Sequence, residues 1–214
     1  MKIPLELKCP NCGEPRHQVV HLNDLSADFT CAKCGRTSYG IPGLDVTVGV
    51  LIFARSWHEL EIAKDYDMSV VLAATALECE LSYLYCKWKE VEALGAGITS
   101  DPEHVETELR RMGSVAEKIT NVSTFLCAGG IEAFVGSSDK WKKTIAEGFP
   151  SLHQGSLATD FQRTVFWPRN KVLHHGTASH TRDDAARCYS IAWVGIHILK
   201  EMDKARIASF QSSL

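Results

Sequence analysis

A guanidinium, an amide and an imidazole fall within six residues in Arg169-Asn170-Lys171-Val172-Leu173-His174, with His175 and Gly176 following. The arginine is a permanently charged planar fork that matches phosphate oxygens. The imidazole type exchanges protons near neutral pH, its ordinary pKa being ~6.5. Together such groups can hold an anion, orient it and move a proton without a metal ion. A second constellation stands at the other end of the chain. Cys9, Cys12, Cys31 and Cys34 form Cys-x2-Cys…Cys-x2-Cys with 18 residues, 13–30, between the pairs. That is the spacing of a structural zinc site.

Four thiolates leave a zinc ion no open position, so the expected Zn2+ is structural rather than catalytic. Each pair lies in a turn signature, Cys9-Pro10-Asn11-Cys12-Gly13 and Cys31-Ala32-Lys33-Cys34-Gly35. Short strands are expected between them, in His17–Leu22 and Asp28–Thr30. The pattern resembles a zinc ribbon. Two disulfides or a redox pair are the alternatives, and the lack of a secretory signal weighs against both. His17 and His21 can replace a cysteine ligand in principle, but four cysteines already fill the site. Residues 1–43 carry Lys2, Lys8, Arg16, Lys33 and Arg36 against Glu6, Glu14, Asp24 and Asp28, which gives no strong nucleic-acid signal. Clamping a neighbouring domain, touching RNA and recruiting a partner all remain open roles. Cys79, Cys86, Cys127 and Cys188 are scattered through helical segments and read as small buried hydrophobes.

At 214 residues, with 45% apolar and 23% charged, the chain can form one substantial core and a small appendage. A formal charge of −3 excludes general electrostatic attraction of nucleic acid, so RNA binding would need a local basic patch, one that two subunits can share. The strongest apolar run, about 188–199, is broken by Ser190 and His197 and is shorter than the ~20 residues of a membrane span. With no apolar signal core near the N-terminus, a cytoplasmic protein is expected, without a membrane partner. Phosphate-loop, Gly-x-Ser-x-Gly and His-Glu-x-x-His motifs are all missing from the sequence.

The elements that must position these residues are helices. Turn-rich Tyr39–Gly43 makes a junction, dividing a ribbon at 1–43 from a helical domain at 44–214. A first helix is expected over Val46–Asp65. Val70, Ala74, Leu77, Leu81, Leu84 and Trp88 form the apolar stripe of a second, ended by Gly95-Ala96-Gly97. Asp101-Pro102 starts a third that runs to Leu126, stopped by Gly129-Gly130. A shorter helix spans Asp139–Glu147, the motif helix Ser156–His175, and a final helix Thr181–Ser209. The expected fold is mainly α, an antiparallel helical bundle with an N-terminal β zinc ribbon. The five tryptophans read as core or interface anchors, and His153, His180 and His197 as isolated histidines.

Arg169-Asn170-x3-His174, late in a helical domain and before a final apolar helix, resembles the HEPN superfamily, whose RNA-cleaving members carry an Arg-x4–6-His motif. The resemblance implies an endoribonuclease with catalytic Arg169, Asn170 and His174. In it, His174 moves the proton of a ribose 2′-hydroxyl or of the departing 5′-oxygen, Arg169 stabilises the phosphate, and Asn170 orients. The product would be a 2′,3′-cyclic phosphate. One arginine and one histidine do not supply both an acid and a base, and HEPN ribonucleases answer this by dimerising, so a homodimer with a composite active site is implied. A toxin or anti-phage role, and a neutralising or regulatory protein partner, also come from the family. Glu78 reads by itself as a solvated charge; the resemblance implies that it can face the motif and pair with Arg169. On a straight helix Arg169 and His174 lie roughly 140° apart. Pro168, directly before the motif, is expected to kink the helix. The alternatives are a non-catalytic HEPN-like dimer that binds RNA or protein through its ribbon, and a ribbon adaptor on a helical scaffold. In the plainest reading Arg169 and Lys171 are solvated, and His174 and His175 complement the helix dipole.

Overall fold

The computed structural model describes residues 2–8, 12, 15–21, 29–35, 37–38, 47–149, 156–175 and 179–212. The chain forms two compact units, Met1–Val46 and Thr47–Leu214. The expected junction at Tyr39–Gly43 lies outside the described residues.

In the first unit, β1 (Lys2–Lys8) pairs antiparallel with β2 (Pro15–His21), Leu5 opposite Gln18. β3 (Phe29–Thr30) pairs with β4 (Thr37–Ser38), Thr30 opposite Thr37. Each Cys-x2-Cys segment therefore connects the two strands of a hairpin. The alternation of Ile3, Leu5 and Leu7 is the period-two signal of β1, a strand not anticipated above.

The second unit is helical: α1 (Val48–His58), α2 (Tyr66–Gly95), α3 (Pro102–Arg111), α4 (Val115–Leu126), α5 (Gly130–Ser137), α6 (Asp139–Gly148), α7 (Leu157–Phe161), α8 (Trp167–His175) and α9 (Arg182–Gln211). Side-chain caps set several starts. Asp65 accepts from Met68 N, Asp101 from Glu103 N and His104 N, and Ser156 from Thr159 N; Thr181 and Asp184 form a reciprocal box. The expected first helix is shorter than Val46–Asp65. A π-helical turn at Glu59–Ala63 and left-handed Lys64 (φ 58°) end it, and Asp65 caps the next.

The single helix expected over 102–126 is instead two. Gly113 takes φ +76°, a left-handed conformation glycine adopts without strain, and Ser114 with Glu117 builds a capping box that starts α4. Gly-Ser-x-x-Glu was the available signal. α5, which starts at Gly130 with Gly129 as its cap, was not anticipated either.

The stripe Val70, Ala74, Leu77, Leu81, Leu84 and Trp88 is buried, and packs with Ile191, Ile198 and Met202 of α9 in one core. By hydropathy alone α2 is apolar and long enough to cross a membrane, contrary to the expectation from apolar runs. Its apolar stripe is buried in this core, while Met68, Tyr83 and Leu94 stay exposed. The antiparallel expectation is met only in part. α1 runs against α2, since Gly49 approaches Ala76 and Glu80 while Ser56 Oγ donates to Ser69 O. α2 and α9, however, run parallel. Asp67–His180, Leu77–Gly195, Trp88–Asp203 and Glu92–Arg206 are successive contacts in which both numbers rise together. The long chain between them returns the polypeptide to the starting end. Burial of a charged group at this seam is balanced: Asp203 accepts from Trp88 Nε1 at 2.6 Å and from Lys87 Nζ at 2.7 Å.

Candidate functional site

α8 owes its orientation to the turn before it. Gln162–Phe166 is π-helical, with the Trp167 amide donating to Gln162 O, and Pro168, which has no N–H, follows at once. The irregularity expected at Pro168 is thus taken up by the preceding wide turn, and 167–175 is regular helix.

Arg169 is directed at α2. Its Nη1 donates to Glu78 Oε2 at 2.7 Å, its Nε donates to Asn170 Oδ1 at 3.2 Å, and its guanidinium carbon sits 5.6 Å from the centre of the Phe166 ring. Its side chain is 18% exposed. Glu78 is no isolated solvated charge. Its other oxygen, Oε1, accepts from Lys118 Nζ of α4 at 3.3 Å, so one carboxylate joins α2, α4 and α8. Arg169, Asn170 and Glu78 are therefore brought together.

His174 is not part of that group. It is exposed in the last turn of α8, and among the described residues no hydrogen bond connects it to Arg169, Asn170 or Glu78. At about 100° per residue it points roughly 140° away from Arg169. Gly176 lies outside the described residues.

The exposed face of α8 has its own composition. Trp167, Lys171 and His174 recur at i, i+4 and i+7, within an arc of about 60°. Of the five tryptophans expected to be core or interface anchors, Trp88 and Trp141 lie in the core, whereas Trp167 is 53% exposed and Trp57 and Trp193 are exposed as well. Beside this face lies a groove of about 560 Å³ lined by Arg163, Pro168 and Lys171 on one wall and by His180, Asp184 and Arg187 on the other. Asp67 fixes the second wall, its Oδ1 accepting from the His180 backbone N–H at 2.9 Å and lying 2.7 Å from His180 Nδ1. Asp184 is occupied by the Thr181 cap, whose hydrogen bonds hold its carboxyl below the usual range.

In the first unit the Sγ atoms of Cys12, Cys31 and Cys34 lie within 4.8 Å of one another, and can hold a metal ion. Cys12 and Cys31 Sγ are 3.6 Å apart. Thiolates at ~2.3 Å on a tetrahedral zinc stand about 3.8 Å from each other, so the spacing fits. It does not fit a disulfide, at ~2.05 Å. Gly35, at φ +68°, donates its N–H to Cys31 O at 2.7 Å and closes the second knuckle as a tight turn. Cys9 lies outside the described residues.

The remaining thiols divide less simply than their sequence positions suggest. Cys188 is buried, and burial pushes its pKa up to about 12; Cys79 and Cys127 are half-buried, and Cys86 is exposed.

No family model, curated protein or solved structure matches this chain. Sequence reasoning had found Arg169, Asn170, His174 and the option of Glu78. It missed Lys118, which no local pattern links to Glu78, and the Asp67–His180 clasp. The Trp167-x3-Lys171-x2-His174 periodicity was legible, since it lies within one helix.

Proposed function

We propose that the helical unit is a HEPN-type, metal-independent endoribonuclease that acts as a homodimer. The observation that carries this reading is the arrangement around α8: Glu78 and Asn170 fix the Arg169 guanidinium on one side, while His174 stands in solvent one turn beyond Asn170. A fixed cation and an accessible imidazole are what phosphodiester cleavage by an internal hydroxyl requires. The ribose O2′ attacks phosphorus as its proton passes to one His174. The P–O5′ bond breaks as O5′ receives a proton from a second. Phosphorus is left as a 2′,3′-cyclic phosphate and the departing strand as a 5′-hydroxyl. Because Arg169 and His174 diverge within one chain, the second copy supplies the complement, and the cleft is composite.

In the same reading the first unit is a zinc ribbon with Cys9, Cys12, Cys31 and Cys34 on one structural Zn2+, which would tie its two hairpins together and take no part in the chemistry. A cytoplasmic toxin or anti-phage effector restrained by a regulatory protein is the biological setting that the family resemblance suggests.

The test is cleavage of mixed cellular RNA by wild type and His174→Ala in excess chelator, both first checked for folding and bound zinc. The wild type alone should cut and leave cyclic-phosphate ends. Equal cutting by both proteins would remove His174 from the mechanism. A specific observation favours a second reading, a non-catalytic RNA-binding dimer: Arg169 is already neutralised by Glu78 and faces away from His174. Failure of both proteins to cut would leave that reading in place.

A further inference from the structure

The geometry points to the exposed face of α8 and its adjoining groove as a binding track for single-stranded RNA, in which Trp167 stacks a base while Lys171 and Arg187 hold successive phosphates. This rests on RNA as the ligand of the proposed function and specifies where the strand lies.

Three observations converge. Trp167 is a large, rigid aromatic left 53% exposed on a helix otherwise anchored to the core through Arg169. Every base offers a π-face, so such a ring binds single strands irrespective of sequence. One turn on, exposed Lys171 enters the groove that Arg163 and Arg187 also line. The groove also carries Asp184, whose carboxylate is held by the Thr181 cap and feels the charge of Arg187, so one lining carboxylate stands against the cations Arg163, Lys171 and Arg187. Arg163 pairs with buried Asp160 at 2.7 Å, but among the described residues neither Lys171 nor Arg187 has an ion-pair partner within 4 Å. In a chain of net charge −3, such unpaired cations facing one cavity of about 560 Å³ form the local basic patch that nucleic-acid binding needs. Third, His174 lies three residues beyond Lys171 on the same face, so a phosphate held by Lys171 has the imidazole next to it along the strand. The Asp67 clasp on His180 fixes the opposite wall, so the groove does not depend on the strand for its shape.

The closing experiment uses full-length protein and a fluorescein-labelled 2′-O-methyl oligouridylate, which cannot be cut by 2′-hydroxyl attack, read by fluorescence anisotropy at several salt concentrations. Trp167→Ala should weaken binding about tenfold, the scale of one lost base stack. Lys171→Glu and Arg187→Glu should each weaken it by about three- to tenfold and lower the salt slope by about 0.7 for each phosphate no longer neutralised. Lys143→Glu, an equal charge change on the exposed surface of α6, should leave binding within about twofold of wild type. Lys171→Ala and Arg187→Ala, gentler changes at the same sites, should weaken binding in the same direction. The proposal is overturned if Trp167→Ala and Lys171→Glu bind as wild type does, or if Lys143→Glu is equally impaired. It is also overturned if the variants dissociate a dimer while each chain still binds RNA, which would make this face an interface between copies. Cleavage of unmodified oligouridylate is scored separately in the same proteins. Groove-dependent binding without cleavage removes only the nuclease, and cleavage by proteins whose binding ignores the groove removes only the track.

Discussion

Exchanging Glu78 for glutamine should destabilise the helical unit more than removing Arg169. Arg169 and Glu78 meet at 2.7 Å, the arginine 18% and the glutamate 29% exposed. With charge centres about 4 Å apart and an effective dielectric of ~20, the gross attraction is about 4 kcal/mol. Water reaches both groups, and ordering two flexible chains costs further free energy. A net coupling of about 1–2 kcal/mol remains, above the ~0.2–1 kcal/mol of fully exposed pairs. Glu78 also holds Lys118 at 3.3 Å, so Glu78→Gln removes two ion pairs and leaves two cations facing a neutral amide. Its cost should be about 2–3 kcal/mol, while Arg169→Gln, which keeps the Lys118 pair, should cost about 1 kcal/mol. The assay is a double-mutant cycle by urea denaturation on wild type, both single variants and the double variant. In thermal melts each kcal/mol should appear as roughly 2–4 °C for a unit of this size. A coupling below about 0.3 kcal/mol, or Arg169→Gln costing more than Glu78→Gln, would refute the assignment of Glu78 as the junction of α2, α4 and α8.

Two further outcomes follow from packing and burial. Gly49→Ala places a Cβ 2.7 Å from the Ala76 carbonyl oxygen, where only backbone can yield, and should lower stability by about 1–2 kcal/mol after the small gain in helix propensity; an unchanged denaturation midpoint would show that α1 shifts freely along α2. His197 is half-buried beside Trp193, with ring centroids 3.7 Å apart, and burial lowers its pKa against the opposing pull of a hydrogen bond to the Trp193 backbone, with Lys200 and Lys140 adding to the lowering. The unfolded chain therefore takes up a proton more readily than the folded one. This contribution to stability is present above the unfolded value of ~6.5 and is lost as pH falls through it, so His197→Gln should flatten the stability profile between about pH 7.5 and 5.5. Parallel profiles for the two proteins would remove His197 from the acid response.

What was readable along the chain followed from local rules. The α2 stripe, the starts at Asp101 and Thr181 and the paired knuckles all depend on spacings of a few residues; the structure keeps the stripe and both caps, and of the four knuckle cysteines it describes Cys12, Cys31 and Cys34, which stand together. The break at Gly113 was equally local and was passed over because the apolar pattern on either side invited one long helix. Glu78 shows the limit. Beside Leu77 in the stripe it has the composition of a surface charge, and only the approach of α4 and α8 gives it Lys118 and Arg169 as partners.

By itself, then, the sequence determined that the chain is mainly helical after a cysteine-paired segment, and that Arg169, Asn170 and His174 share one helix, because periodicity and capping act over single turns. It also determined that Arg169 and His174 would point apart, since the helical repeat sets that angle. The tertiary structure decided which of them meets the core. α8 docks on α2 through Arg169 and Glu78, and that contact turns Trp167, Lys171 and His174 together toward solvent. It also set α2 parallel to α9 and closed the basic groove across residues from the π-helical turn, α8 and the start of α9. Such pairings depend on which helices lie side by side, and that is a property of the packed core rather than of any local stretch of residues.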